Sequence, residues 1–183
     1  WFLPEAERSD PFRLRRGRLL AGLLLLATLP QPLFTGHYLL TGNTPMVLSS
    51  GLFMVLFTGL LVGFRHLGAA IVTHMLLLIG TAGIFVFVLQ TGGLTSFVAP
   101  YTAVLPMMAV AMLDRWWGVV WGVIAVSCVL AWFAIESLGM MPTPLVTGDG
   151  VHLTVAMNLL TMIAYCSGVV AFLVGLNDLR LDE

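Results

Sequence analysis

The sequence predicts an all-α membrane protein, a six-transmembrane-helix bundle with both termini in the cytoplasm. Composition is the first reason: 59% of the 183 residues are hydrophobic, only 9% are charged, and the mean hydropathy is +1.01. A soluble domain carries about 25% charged residues, so this chain has too few to coat a water-facing surface. The apolar residues also occur in runs near the ~20 residues that a helix needs to cross a bilayer. The third reason is the distribution of arginine, which indicates the orientation.

The chain divides into six apolar segments, at residues 19–39, 46–64, 67–89, 99–113, 118–135 and 153–175. All but the short fourth segment lie near the ~17–25 residues of a spanning helix. Backbone groups in lipid must form their hydrogen bonds within the segment, which favours helices over open strands. We therefore expect a basic N-terminal segment at residues 1–18, a six-helix domain at residues 19–175 and an emerging amphipathic helix at residues 176–183.

Arginine is confined to one side of this six-pass topology. The chain has no lysine, and five of its eight arginines precede the first segment. Arg65, Arg115 and Arg180 follow the second, fourth and sixth segments. By the positive-inside rule this side faces the cytoplasm, as expected of a protein of the bacterial inner membrane. The basic run directly abuts an apolar segment, so we expect the lipid bilayer as its partner and not nucleic acid.

Polar residues predicted at the outer ends of the segments define a candidate ligand site. On apolar walls, a few such groups are typical of a pocket for a small hydrophobic or amphipathic molecule. The alternative is that these residues only sit at the membrane interface. The candidate ligand-binding residues are His37, Tyr38, Gln90, Tyr101, Glu136, Asp149, His152 and Asn158.

Two of these residues, His37 and His152, are both expected at the outer surface and can approach each other. Such a pair can bind a metal ion or respond to pH, although the sequence does not indicate which metal. Ordinary interfacial histidines are the alternative interpretation.

His74 is expected about two turns into the third segment, within the hydrocarbon. Ionisable residues there are costly and usually face a partner or a cavity. A hydrogen-bonded core histidine is one interpretation, and a haem ligand in a b-type cytochrome is another. We expect no cofactor, with haem or a quinone as the alternative.

Prolines and small residues indicate where the helices bend and where they meet. Pro30 and Pro106 fall within apolar segments, remove a backbone donor and tend to kink a helix, which makes them candidate hinges. Gly118 and Gly122 have the spacing that lets two helices approach closely, either inside the bundle or at a dimer seam. Phosphate-loop, HExxH and GxSxG motifs are absent, so nothing in these residues indicates a catalytic site.

A set of residues with a recurring spacing begins after the third segment: Gly92-Gly93-Leu94-Thr95-Ser96, Tyr101, Leu105-Pro106, Asp114-Arg115 and the Pro142–Pro144 loop, together with the basic run before the first segment. With this pattern the chain resembles the six-pass input domains of bacterial histidine kinases and of GGDEF or class III nucleotide cyclases. One departure is Phe97, which stands after Ser96 where the family often has a second proline or a serine. The resemblance extends over nearly the whole chain through spacing and these few residues.

This resemblance implies that residues 19–175 are a sensor domain and that residues 176–183 begin a cytoplasmic signalling helix. It further implies a homodimer joined by a coiled coil and an output domain beyond Glu183, most often a histidine kinase of a two-component system, otherwise a cyclase. The full-length chain would then be an enzyme. Two other classes remain open: a haem- or quinone-binding redox anchor, and a small transporter or intramembrane enzyme.

Overall fold

The computed structural model describes residues 11–142, 144, 145, 155, 156, 159, 160, 163, 166 and 167. In these residues all regular secondary structure is helical, which confirms the predicted all-α class. Four stretches are long and apolar enough to cross a membrane: Leu14–Leu40, Thr44–Leu67, Ala69–Thr91 and Arg115–Ser137. The apolar stretch Ala99–Met112 is shorter. Most of the sixth segment and both termini lie outside the described residues, so six spans and cytoplasmic termini stay predictions.

The first predicted segment consists of two helices, α1 (Pro11–Thr28) and α2 (Gln31–Leu40). The break lies at Pro30, one of the two candidate hinges. The amide of Leu29 still donates to the Leu25 carbonyl at 2.8 Å, whereas Pro30 has no amide to offer residue 26. The Pro30 carbonyl then accepts from Phe34 at 3.1 Å and starts α2. The backbone at Pro30 keeps helical angles, φ −73° and ψ −21°, so the proline interrupts the helical hydrogen bonding within one apolar span, Leu14–Leu40.

Helices α3 (Thr44–Leu67) and α4 (Ala69–Thr91) form a hairpin joined by a single residue, Gly68. Its φ of +76° is rare for residues with a Cβ, which explains glycine in so short a turn. At the other end of α3, the Asn43 side chain accepts a hydrogen bond from the Met46 amide at 3.3 Å. Arg65 and His66 lie in the last turn of α3, where cations complement the helix dipole.

The fourth predicted segment begins as a 3-10 helix, Ala99–Ala103, and continues as α5 (Val104–Met112). A shorter 3-10 helix, Gly93–Thr95, precedes it. Pro106, expected in the middle of a helix, is the third residue of α5. In that first turn its missing amide removes no helical hydrogen bond. The change of helix type therefore occurs just before Pro106, and its role as a hinge stays a prediction.

Helix α6 (Arg115–Ser137) follows α5 after a two-residue turn. Asp114 caps α6, because its Oδ1 accepts hydrogen bonds from the amides of Trp116 (2.8 Å) and Trp117 (3.0 Å). Helices α5 and α6 pack along the Gly118 face. A Cβ at Gly118 would overlap the Cγ2 of Val110, so only glycine permits this approach. The Gly118–Gly122 pair thus allows α5 and α6 to pack closely inside the bundle.

The main core lies between α1, α3, α4 and α5, where leucine and phenylalanine side chains interlock. Arg16 lies within electrostatic range of Asp114, and the His74 ring meets Trp117. The start of α1, the α3–α4 turn and the α5–α6 turn therefore share one end of the bundle, here called the arginine end. The far end holds residues 41–43, 92–98 and 138–145.

Candidate functional site

Three segments meet at the far end through hydrogen bonds. Asn43 Nδ2 donates to the Leu145 carbonyl at 2.7 Å, across 102 positions of sequence. The Leu145 amide in turn donates to the Gln90 carbonyl at 2.8 Å. The loop after α6 is thus tied to the α2–α3 turn and to the end of α4.

Gln90 also connects α4 to α3 through its side chain. Its Nε2 donates to the Ser49 hydroxyl at 3.1 Å, while that hydroxyl donates to the Pro45 carbonyl at 3.0 Å. Gln90 Oε1 is buried and has no hydrogen-bond partner in the part of the chain that the structure describes. Gln90 therefore braces two helices and keeps one buried acceptor available.

Glu136 lies at the far end as expected, but it is exposed and bound to backbone. Its Oε2 accepts from the Leu94 amide at 3.3 Å, where the first 3-10 helix starts. A Cβ on Gly93 would stand 3.0 Å from that oxygen and 2.6 Å from Met141 Cε. The Gly92-Gly93 pair of the resemblance therefore lets the loop pass over the end of α6.

Of the remaining six far-end candidates, three lie in the described part of the chain and three lie outside it. His37 packs against Tyr38, with ring centroids 5.5 Å apart, and Tyr38 is buried against Phe34. Tyr38 and Tyr101 both line a cavity in the core, and Tyr101 packs against the cluster of Val88, Val98 and Trp132. Asp149, His152 and Asn158 lie outside the described residues, as does the His37–His152 pair. Of the five described candidates, Tyr38 and Tyr101 line one cavity, and the other three are not among its lining residues. A site made of all eight stays a prediction.

A cavity of about 160 Å³ lies between α1, α2, α3, α4, the second 3-10 helix and α5. Pro30 lines it together with Gln31, at the break between α1 and α2. No charged side chain lines it among the described residues. The aromatic rings in its wall are Phe34, Tyr38, Phe53, Phe57, Phe87, Phe97 and Tyr101.

The cavity walls include residues that the sequence analysis did not select. Phe53 and Phe57 are one turn apart on α3, and they face Gly80 and Gly83 on α4. A Cβ on Gly83 would lie 3.2 Å from the Phe53 ring. Phenylalanines on one helix opposite glycines on the next are a sequence pattern that could have predicted this wall. Recognising the pattern requires the register between α3 and α4, which the sequence alone does not reveal.

His74 lies far from this network, near the arginine end. It is the sixth residue of α4, and its ring meets the Trp117 ring edge-on with centroids 4.2 Å apart. Along α4 it is separated from Gln90 by about 24 Å of helix. Three or more His, Cys, Asp or Glu residues suited to hold a metal ion do not come together anywhere in the described ranges. The expectation of no cofactor, with haem or a quinone as the alternative, stays a prediction.

No protein-family model, curated protein or solved structure matches this chain. What it does is therefore inferred from its own residues.

The tie between Asn43 and Leu145 leads to a first test. Asn43→Asp keeps an oxygen to cap α3 but removes the donor to the Leu145 carbonyl. One net hydrogen bond is worth about 1 kcal/mol, so exchange of the Leu145 amide is expected to accelerate about fivefold. Hydrogen–deuterium exchange of the 138–145 peptide measures this. Ser49→Ala, which breaks a neighbouring contact, is the control and should leave that exchange unchanged; equal rates for both variants would contradict the assignment.

Proposed function

We propose that this chain is the membrane-embedded input domain of a homodimeric bacterial inner-membrane signalling protein of the sensor histidine kinase type. The observation that supports this proposal is the break of the first span at Pro30, which lies directly beside the aromatic cavity. A ligand in this cavity contacts α1 and α2 at once. Binding there can therefore change the angle between the two halves of the span.

Six spans and cytoplasmic termini are part of the proposal. Arg16, Arg65 and Arg115 lie at the same end of the described bundle, in agreement with the positive-inside rule. Four long spans, the shorter Ala99–Met112 stretch and the apolar segment at residues 153–175 give the count of six.

Both halves of the broken span pack on α3, but they are attached at different places along it. The Thr35 hydroxyl on α2 donates to the Ser50 hydroxyl on α3 at 2.9 Å, and Ser50 is fully buried. Leu20, Leu23 and Leu24 on α1 pack into the main core. A change in the α1–α2 angle must therefore shift one attachment relative to the other.

The sixth segment receives such a shift through the same core. Cys166, one of its described residues, packs against the main core cluster. To move a two-state equilibrium from 1:99 to 99:1, a ligand must favour one state by about 5.5 kcal/mol. The proposed mechanism thus runs from the cavity through the core to the sixth helix and into a cytoplasmic output domain.

Restoring the missing amide at the break tests this function. Pro30→Ala returns an amide donor at a position whose backbone is already helical, with φ −73° and ψ −21°. Pro32 still has no amide for the Thr28 carbonyl, so the variant should reduce the bend between α1 and α2 without merging them into one regular helix. In the full-length natural protein in lipid nanodiscs, autophosphorylation or nucleotide cyclisation is expected to change at least threefold, about 0.7 kcal/mol in the balance of two states. Pro45→Ala is the matched control, because Pro45 lies in the first turn of α3, where no helical hydrogen bond is lost.

Two results would overturn the proposal. One is a natural gene product that carries no output domain. The other is an unchanged output in a Pro30→Ala protein whose helix content and thermal unfolding match those of the unmodified protein.

A further inference from the structure

We infer that the cavity at the Pro30 break binds a small, uncharged, mainly apolar molecule with one hydrogen-bonding group, and that Gln31 is its polar contact. This assignment names the ligand class of the input site, and its importance for signalling rests on the proposed function.

The size and walls of the cavity define the apolar part of the ligand. A cavity of about 150 Å³ lined by apolar side chains stays dry in a protein core and binds benzene. The present cavity, about 160 Å³, has five phenylalanines in its wall. The Phe53 ring contacts those of Phe57 and Phe87, with centroids 6.3 and 5.7 Å apart. A single six-membered ring with one or two substituents fits this volume.

The absence of charge from the described wall excludes an ionic ligand. Transferring an unpaired charge into an apolar site costs far more than its contacts return. The described arginines that could pair with an anion lie at the arginine end, and none of them is among the residues that line the cavity. A neutral molecule is therefore the class that these walls accept.

Gln31 supplies the polar contact. It lines the cavity as the first residue of α2 and is half-buried. Within the described residues its side-chain amide makes no hydrogen bond. A glutamine amide offers two donors and one acceptor, and leaving such groups without partners beside apolar walls is unfavourable. A hydroxyl or carbonyl on the ligand satisfies this amide.

The position of the break favours entry from the lipid. Leu29 and Leu33 flank Pro30 and Gln31, and each is 66% exposed on the outer surface of the bundle. The break is thus part of the wall between the cavity and the surrounding acyl chains. A membrane-soluble molecule reaches Gln31 there without crossing the hydrogen-bonded far end.

The test uses two probes of nearly equal size, 4-fluorophenol and fluorobenzene, followed by fluorine NMR. The full-length protein is held in lipid nanodiscs, and partitioning into empty nanodiscs is subtracted. We expect 4-fluorophenol to bind about fivefold more tightly than fluorobenzene, as one net hydrogen bond predicts. Gln31→Leu is expected to remove this difference and to leave fluorobenzene affinity within twofold.

A second pair of variants tests the location. On α4, Gly80→Leu adds a side chain at the cavity wall, where a Cβ stands 3.9 Å from Leu105 Cδ2, and should weaken both probes at least tenfold. Gly59→Leu, on α3 with no atom within 4 Å of an added Cβ, is the matched control and should change neither. Equal binding to the unmodified and Gly80→Leu proteins would show that the probes only dissolve in lipid. A fivefold preference kept by Gln31→Leu would remove Gln31 from the site.

These outcomes separate the ligand site from the signalling role. Cavity-dependent binding without any change in kinase or cyclase output would leave the site standing and overturn the input function. A changed output in Pro30→Ala, without cavity-dependent binding of either probe, would overturn the ligand assignment alone.

Discussion

Replacing Trp132 by alanine is expected to lower the free energy of unfolding by about 3–5 kcal/mol, the usual cost of deleting a buried tryptophan. Trp132 is fully buried on α6 and stacks on Phe85 of α4, with ring centroids 5.6 Å apart. Val88 and Val98 complete its surroundings. Removing the indole opens a large void where α4, α6 and the far-end loop meet, and the helix backbones cannot close it.

Two further variants complete this test: one keeps an aromatic ring at position 132, and the other truncates an exposed tryptophan as a control. The Trp132 Nε1 is buried without a hydrogen-bond partner among the described residues, so Trp132→Phe loses ring volume but no hydrogen bond. Its expected cost is below about 1.5 kcal/mol. Trp116→Ala, at a position 68% exposed, should stay within about 0.5 kcal/mol of the unmodified chain. SDS titration in mixed micelles measures all three, and a Trp132→Ala cost no larger than that of Trp116→Ala would contradict the packing.

Adding one methyl group at Gly118 is expected to destabilise the bundle by about 1–3 kcal/mol, although alanine is the better helix former. The new Cβ overlaps Val110 Cγ2 on α5, and the Pro106 carbonyl oxygen lies 3.6 Å away. Valine has one strongly preferred rotamer in a helix, so it cannot turn aside cheaply. The two helices must therefore move apart along their contact.

A matched glycine gives the opposite sign. Gly59→Ala meets no atom within 4 Å and should stabilise α3 by about 0.5–1 kcal/mol, because glycine is the poorer helix former. Combining Gly118→Ala with Val110→Ala should recover part of the loss, since the obstructing methyl is gone. The same SDS titration applies. Loss of stability in Gly59→Ala, or no recovery in the double variant, would place the close approach elsewhere.

Local sequence was sufficient to predict what depends on neighbouring residues. Apolar runs predict the helices. The missing amide of Pro30 predicts the disturbance there, and the missing side chain of Gly118 predicts the close approach of two helices. At Pro30 the helical hydrogen bonding is interrupted between α1 and α2, whereas its role as a hinge stays a prediction. Pro106 was expected to kink the middle of a helix, but α5 begins at Val104, so Pro106 lies in its first turn.

The cavity depends on contacts between distant residues, which a single sequence does not specify. Tyr38 and Tyr101 were selected as polar residues of an outer pocket, and the structure places both in an aromatic wall on the core side. Glu136 was selected for its charge, yet its carboxylate accepts a hydrogen bond from the Leu94 backbone amide. The depth of His74 was judged from a segment drawn from Leu67, whereas α4 begins only at Ala69.

The fourth apolar stretch is too short for an average bilayer. The 3-10 helix and α5 together extend about 24 Å, against a hydrocarbon thickness of about 30 Å. Helix α3, with 24 residues, extends about 36 Å and must tilt to fit. In the proposed six-span topology, lipid beside the exposed side chains of Met107 and Val110 has to thin, at a cost of a fraction of a kcal/mol per Å. Helix α5 also lines the cavity, through Leu105 and Met108. A bilayer of longer acyl chains would therefore strain the cavity wall. Membrane thickness thus becomes a second influence, beside ligand binding, on the volume of the cavity.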